Sequence, residues 1–222
     1  MTELDRAAIN AMRKSYGEIG LTEDAVERDP IRQFQGWLKE AAENSMVVEA
    51  NAMVLSTVGE NGPTSRTVLL KDVTSAGFTF FTNYDSRKSH EMKNNPHVSL
   101  LFPWYPLERQ VIVLGSAERI SEDESARYFA TRPWSSQIGA WASSQSAPLD
   151  SRQTLEERFR EFSAKYPEGS EVPKPPHWGG FLVTPTSIEF WQGRYSRLHD
   201  RLRYTADNTG GESKWKLERF FP

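Results

Sequence analysis

The sequence predicts a mixed α+β fold: an antiparallel β-barrel or sheet closed by its C-terminal strands, with helices packed outside. Three observations lead there. Runs with apolar residues at every second position come from both ends of the 222-residue chain, and a period of two marks half-buried strands. Helical patterns are inserted between them, so the β-α-β-α rhythm of a doubly wound sheet is absent. The late runs are needed to finish the early sheet, so one domain over residues 1–222 is expected rather than two.

Each element has its own justification. Arg6–Tyr16 reads as a short helix or arm ending in Met12-Arg13-Lys14-Ser15-Tyr16. The next helix takes Asp29 as cap and Pro30 at its first position, with Ile31, Phe34, Trp37, Leu38 and Ala41 as one apolar stripe. Strands follow at Asn51–Val58, Thr64–Lys71 and Gly77–Thr82, and Gly59-Glu60-Asn61-Gly62-Pro63 punctuates the first two as a hairpin. Ser86 opens a short helix, Ser86–Asn95, before strands at His97–Phe102 and Gln110–Ile120. Ser121 and Glu124 make a capping box for a helix reaching about Thr131. A second helical stretch covers Ser135–Ala142; a third, Ser151–Tyr166, takes Asp150 as cap and buries Leu155, Phe159 and Phe162. Beyond the Pro-rich linker Pro167–Pro176, strands are expected at Gly180–Pro185, Ser187–Gln192, Leu198–Tyr204 and Lys214–Phe220.

Composition removes several function classes. With no cysteine there is no disulfide, thiol nucleophile, iron–sulfur cluster or Cys-based zinc site. Lys+Arg at 27 against Asp+Glu at 30 gives a net charge of -3, so neither nucleic acid nor an acidic membrane is called for. The acidic N-terminus lacks a leader's apolar stretch, and no apolar run approaches the roughly 18 residues of a membrane span, so a cytoplasmic protein is expected. None of the fourteen glycines forms a dinucleotide fingerprint or a P-loop, and no nucleophile elbow is present. The four histidines are scattered, so no metal site is expected. Seven tryptophans suit core packing or a flat-ring ligand.

What remains is a set of cations and hydroxyls at element boundaries. Arg87 and Lys88 follow Ser86 in the first turn of a helix, where the macrodipole disfavours cations unless an anion is near; the alternative is a solvated helix start that Ser86 merely caps. On the strand Arg66–Lys71, Arg66 shares a face with Val68 and Leu70, so it needs a ligand or a carboxylate across the sheet. Arg197, His199 and Arg201, read as a strand, project from one face and repel one another unless a ligand or opposing acids intervene. Tyr128, Arg132 and Ser136 share a face if their helix continues, and could together grip a phosphate, although Pro133 threatens a break.

These residues resemble the pyridoxine/pyridoxamine 5′-phosphate oxidase family over nearly the whole chain. The strings that carry the resemblance include Glu49-Ala-Asn-Ala-Met53, Arg66–Lys71, Phe81-Thr-Asn83, Ser86-Arg-Lys88, Leu107-Glu-Arg-Gln-Val111, Ser136-Gln-Ile-Gly-Ala140, Trp178-Gly-Gly180, Glu189-Phe-Trp-Gln-Gly193 and Arg197-Leu-His-Asp-Arg201. The resemblance implies an FMN-binding split β-barrel with peripheral helices, forming a homodimer with FMN at the subunit interface. By the same resemblance Arg66, Thr67, Val68, Leu69, Leu70, Lys71, Phe81, Thr82, Arg87, Lys88 and Gln110 hold FMN, completed by Gln145, Ser146, Trp191 and Arg201, some from the other subunit. Lys71, Tyr128, Arg132 and Ser136 are implied to grip the substrate phosphate. Arg197 and His199 are implied to cover the pyridine ring as the catalytic pair. Arg13, Lys14, Ser15 and Tyr16 are implied substrate contacts from an N-terminal arm, residues 1–20, expected to be mobile.

The implied reaction oxidises pyridoxine 5′-phosphate or pyridoxamine 5′-phosphate to pyridoxal 5′-phosphate, with O2 reduced to H2O2, the flavin carrying the hard step. Phe81 departs mildly from a position often occupied by Tyr in relatives. The rival readings are a phenazine-type flavin oxidase of the same fold, a non-catalytic flavin or pyridoxal-phosphate carrier and, weakest at this charge, an RNA binder.

Overall fold

The computed structural model describes residues 15–207 and 214–222; Arg13 and Lys14 lie outside them. The described residues form five α-helices and eight strands. None of these helices is long and apolar enough to cross a membrane. The chain divides into two compact units, one holding Asn51–Phe102 and Val113–Ser187, the other the described residues of Met1–Ala50, Pro103–Ile112 and Ile188–Pro222.

The Asn51–Phe102 and Val113–Ser187 unit contains the barrel. Strands β1 (Ala52–Gly59), β2 (Gly62–Thr74) and β3 (Gly77–Asn83) join parts of β4 (His97–Trp104), β5 (Arg109–Arg119) and β6 (Trp178–Gln192) in the order β3-β2-β1-β4-β5-β6. An antiparallel β3–β6 pairing, Phe78↔Val183 to Asn83↔Trp178, closes the ring. The expected alternation holds. Met53, Leu55 and Thr57 are buried on β1 while their neighbours are partly exposed. Phe78, Phe80, Leu100, Phe102 and Val183 are fully sequestered with them, each buried large side chain contributing about 1.5–3 kcal/mol. The first hairpin is tight: Gly59 pairs with Gly62 across Glu60-Asn61. Gly77 opens β3 at φ +139°, and a Cβ there would stand 2.1 Å from the Val183 carbonyl oxygen, so only glycine fits.

Three helices belong to this unit besides α2 (Arg87–Asn94). These are α3 (Glu122–Ala130), α4 (Trp134–Ala142) and α5 (Arg152–Lys165). The Ser121–Glu124 capping box of α3 forms as expected. On α5 the cap is Ser151, one residue later than Asp150, because the Ser151 hydroxyl accepts from the Thr154 N–H. Phe159 and Phe162 pack only half-buried against Phe129, Ile138, Val172 and Trp178, so α5 covers this small core instead of entering it. The two strands expected at Gly180–Pro185 and Ser187–Gln192 are one continuous strand, β6. Its pairing with β3 ends at Val183, so the missing N–H of Pro185 costs nothing on that side.

In the other unit, α1 (Pro30–Glu43) starts as expected, with Asp29 accepting from the Ile31 N–H and Pro30 in the first turn. Its stripe lays Phe34 against Trp104 and Trp37 edge-on to Phe190, at ring separations of 5.9 and 5.2 Å. Strands β7 (Asp200–Asp207) and β8 (Lys214–Phe220) pair from Arg201↔Phe220 to Asp207↔Lys214. The strand expected from Leu198 begins only at Asp200. Tyr195–Arg197 is a 3₁₀ turn in which Ser196 and Arg197 take φ of 56° and 62°. Arg197 and His199 therefore do not share a strand face with Arg201, which corrects the three-cation row.

Candidate active site

A cleft of about 1000 Å³ opens on the barrel unit. Arg66 and Lys71 of β2, Arg87 and Lys88 of α2, and Arg132 between α3 and α4 all line it; among the described lining residues there is no carboxylate. Five cations facing one volume are a standing electrostatic cost that an anion removes.

Local structure explains the placement of each. The β2–β3 register shifts between Leu70 and Asp72, so Lys71 is the extra residue of a β-bulge, is exposed and lines the cleft. Thr67, Val68 and Leu69 line the cleft as well, whereas Leu70 is buried in the barrel core. Arg66 has the carboxylate partner that its apolar face demanded, Glu91 at 3.2 Å. Ser86 does not cap α2: its hydroxyl donates to the Asn83 carbonyl at 2.7 Å. Lys88 is buried, and its Nζ donates to Thr82 Oγ1, Ser86 Oγ and Gln145 Oε1 at 3.1, 3.2 and 2.8 Å, all uncharged. Burial, and then the Arg66 charge, bring this ammonium down to about 8, while Glu91 pulls it back up.

Tyr128, Arg132 and Ser136 line the same cleft. The shared-helix expectation fails, because α3 ends at Ala130 and Pro133 precedes α4. The break still brings the three residues to one cavity, since the Gln137 amide donates to the Phe129 carbonyl at 2.9 Å and ties the two helix ends together. Arg132 lies over the Trp178 ring at 4.6 Å, and its Nη1 is buried without a hydrogen-bond partner. Burial holds its guanidinium below the ordinary range. A desolvated donor of this kind costs several kcal/mol unless something accepts from it. Beside it Phe81, Tyr128 and Trp178 stack nearly parallel, with centroids 3.9 Å (Phe81–Tyr128) and 5.3 Å (Phe81–Trp178) apart. Thr82, Gln145 and Ser146 complete the lining named from the sequence.

Gln110, Trp191, Arg197, His199 and Arg201 belong to the other unit, and none lines this cleft. There His199 packs on Trp191 at 4.7 Å and edge-on to Tyr16 at 5.4 Å, while Ser15 is exposed. His199 Nδ1 accepts from the Arg194 N–H at 3.0 Å, which leaves Nε2 to carry the proton of the neutral ring. Burial, then the Arg197 charge, lowers its pKa and favours that neutral form. Arg201 is gripped by the buried Glu189 through Nε at 2.8 Å and Nη2 at 3.1 Å. Arg203 holds the same carboxylate. Sequence reading missed Glu91, Glu189 and a role for Trp178. The i,i+4 spacing of Arg87 and Glu91 is a signal for the first; nothing local marks the other two.

A closed antiparallel barrel bearing a cation-lined cleft beside stacked rings, with no carboxylate among the described lining residues, belongs to the class of split-barrel proteins. Residues 38–166 match the family model described as pyridoxamine 5′-phosphate oxidase, and residues 178–222 match the pyridoxine 5′-phosphate oxidase C-terminal dimerisation region. A Streptomyces avermitilis pyridoxine/pyridoxamine 5′-phosphate oxidase is 50% identical over 216 residues, covering 96% of this chain and 95% of its own. The Rubrobacter xylanophilus protein of the same name is 51% identical, covering 100% of both chains. Among solved structures, PhzG from Burkholderia lata in complex with tetrahydrophenazine-1-carboxylic acid superposes with a TM-score of 0.84 at 28% identity, covering 94% of this chain and 100% of its own. The chain belongs to the pyridoxine/pyridoxamine 5′-phosphate oxidase family.

Proposed function

We propose that residues 1–222 act as an FMN-dependent oxidase. It converts pyridoxine 5′-phosphate and pyridoxamine 5′-phosphate to pyridoxal 5′-phosphate, with O2 reduced to H2O2 and, from the amine, water consumed and ammonia released. The observation that carries this reading is one cleft, free of carboxylates among its described lining residues, that holds both the unpartnered Arg132 donor and a Lys88 whose partners are all uncharged. Cofactor and substrate are both phosphorylated aromatics, so the site needs two anion pockets and flat rings. The donor set fits both.

In this reading Arg66, Thr67, Val68, Leu69, Phe81, Thr82, Arg87, Lys88, Gln145 and Ser146 hold FMN, with Leu70 contributing backbone. Lys71, Tyr128, Arg132 and Ser136 hold the substrate phosphate. A flavin held by these residues would supply the two-electron redox chemistry that links oxidation of the substrate at C4′ to reduction of dioxygen. Arg197 and His199 cover the pyridine ring, His199 offering Nε2–H as a neutral donor while Arg194 fixes its tautomer. Arg13, Lys14, Ser15 and Tyr16 close over the substrate. Gln110, Trp191 and Arg201 complete the flavin site. Some of Gln145, Ser146, Trp191 and Arg201 reach the flavin from the second subunit of a homodimer. Its place of action is the cytoplasm.

Two outcomes follow from the cofactor assignment. Lys88→Ala is expected to weaken FMN by about 1–3 kcal/mol, the range for a lost charged hydrogen bond, with turnover restored by added FMN. Because the folded pKa is about 8 in the absence of ligand, wild-type FMN affinity is expected to fall as pH rises through that value. Fluorescence titration checks both, and an unchanged dissociation constant contradicts the first. FMN and dimerisation are also expected to be linked by one coupling free energy. Sedimentation across a dilution series with and without FMN reads this; a tightly loaded monomer contradicts it.

The test of function compares aerobic turnover of pyridoxine 5′-phosphate with that of unphosphorylated pyridoxine. A preference for the phosphate ester of roughly 100-fold or more in kcat/KM is expected from lost charged hydrogen bonds. The second reading is a phenazine-type oxidase, favoured by the PhzG superposition; it predicts oxidation of a reduced phenazine carboxylate and indifference to the phosphate. Lys71, Tyr128, Arg132 and Ser136, gathered on one cleft, speak against it.

A further inference from the structure

One carboxylate stands behind the cleft's cations. Glu91 lies on α2 one turn after Arg87 and is 7% exposed. Its Oε1 accepts from Arg87 Nε at 2.8 Å. Its Oε2 accepts from Thr57 Oγ1 at 2.5 Å, Thr64 Oγ1 at 2.7 Å and Arg66 Nη2 at 3.2 Å. The two arginines come from different elements, β2 and α2, and both line the cleft. The β1–β2 turn leaves the room: a Cβ on Gly59 would stand 2.7 Å from Glu91 Oε1.

We propose that Glu91 is a positioning residue of the anion cleft, whose carboxylate locks Arg66 and Arg87 in a fixed relation to each other before the flavin phosphate arrives. The inference rests on the flavin reading above. Two effects of such a carboxylate oppose each other. Its negative charge repels an incoming anion, so removing it tightens binding. Its hydrogen bonds freeze two long, rotamer-rich side chains, so removing it loosens binding through lost pre-organisation. Four donors already satisfy the two oxygens, and two of them are cations, so the outward field of the charge is largely cancelled and pre-organisation wins.

Glu91 also acts on Lys88. That ammonium faces Arg66 from β2 and Glu91 from its own helix, and its direct partners Thr82, Ser86 and Gln145 are uncharged. Without the carboxylate, burial and the Arg66 charge act on Lys88 with no opposing anion, and Lys88 loses its proton at lower pH.

The test is titration of FMN into the flavin-free full chain by flavin fluorescence, for wild type, Glu91→Gln, Glu91→Asp and Thr57→Val, at several pH values from about 6 to 9. Glu91→Gln is expected to weaken FMN roughly tenfold or more, and Glu91→Asp to recover part of that. Thr57→Val, an isostere that removes one hydroxyl from the network, is expected to weaken it less. The alkaline fall of affinity is expected to move to lower pH in Glu91→Gln, a shift that general loosening of the fold does not produce. FMN bound as tightly by Glu91→Gln as by wild type, or more tightly, overturns the proposal. Where Glu91→Gln does not fold, an unchanged affinity in Thr57→Val overturns it. Failure of the wild-type protein to bind FMN overturns the flavin reading instead.

Discussion

The Arg132→Met protein is expected to keep its fold and flavin while kcat/KM for pyridoxine 5′-phosphate falls roughly 100-fold or more, about 3 kcal/mol. Arg132 Nη1 is buried without a partner, and the guanidinium is carried over the Trp178 ring at 4.6 Å. Methionine is of similar length and still covers the ring. It also removes a desolvated charge, which offsets the lost cation–π contact, so stability changes little. What disappears is the donor waiting for the phosphate. A phosphate remote from the reacting carbon is held equally in the ground and transition states, so the loss falls on KM and leaves kcat nearly intact. Turnover of unphosphorylated pyridoxine is the control, since it never used this donor and is expected not to change. An unchanged KM for the phosphate ester contradicts the assignment.

The second large effect concerns Arg197, and it falls on kcat. Arg197 is exposed in the 3₁₀ turn before β7, at φ 62°. The side chain next to His199 is thus presented by a turn and is free of the Glu189 clamp that holds Arg201. A planar guanidinium there can stack on the pyridine and fix C4′ against the flavin. Arg197→Met is expected to remain yellow and dimeric while kcat/KM falls roughly 100-fold, carried mainly by kcat. Arg201→Met is expected to lose FMN if, as proposed, Arg201 completes the flavin site. Steady-state kinetics at saturating FMN decide; near-normal turnover in Arg197→Met contradicts the catalytic assignment.

The barrel was legible because its strands obey a simple rule: one face inward, one outward. Met53, Leu55 and Thr57 are buried in the alternation that marks β1 in the sequence. The capping signals at Asp29 and Ser121 are local chemistry and formed as read. The turn at Ser196–Arg197 was illegible for the opposite reason. Positive φ in two non-glycine residues has no local signature, so alternation ran straight through to Leu198. Pro185 suggests a strand boundary, yet the strand runs on, because its pairing with β3 ends at Val183 and that edge needs no N–H at Pro185. In the site, the cations and hydroxyls could be named because each sits in a recognisable string. The roles of the carboxylates that hold them are not readable from local pattern: Glu189 sits in one of the same strings but meets Arg201 from another strand, and Glu91, although spaced i,i+4 from Arg87, reaches Arg66 across 25 residues of sequence. Tyr128, Arg132 and Ser136 were grouped through a helix that does not exist, and they converge because the break at Pro133 folds back through Gln137.

On the proposed function, this cleft oxidises a phosphorylated pyridine alcohol or amine with dioxygen. The direct measurement is simultaneous assay of pyridoxal 5′-phosphate and hydrogen peroxide, formed aerobically by the purified, FMN-loaded protein from pyridoxine 5′-phosphate. Aldehyde and peroxide are expected in equal amounts, with the reaction stopping when oxygen is removed. FMN-loaded protein that binds the substrate but forms neither product contradicts it.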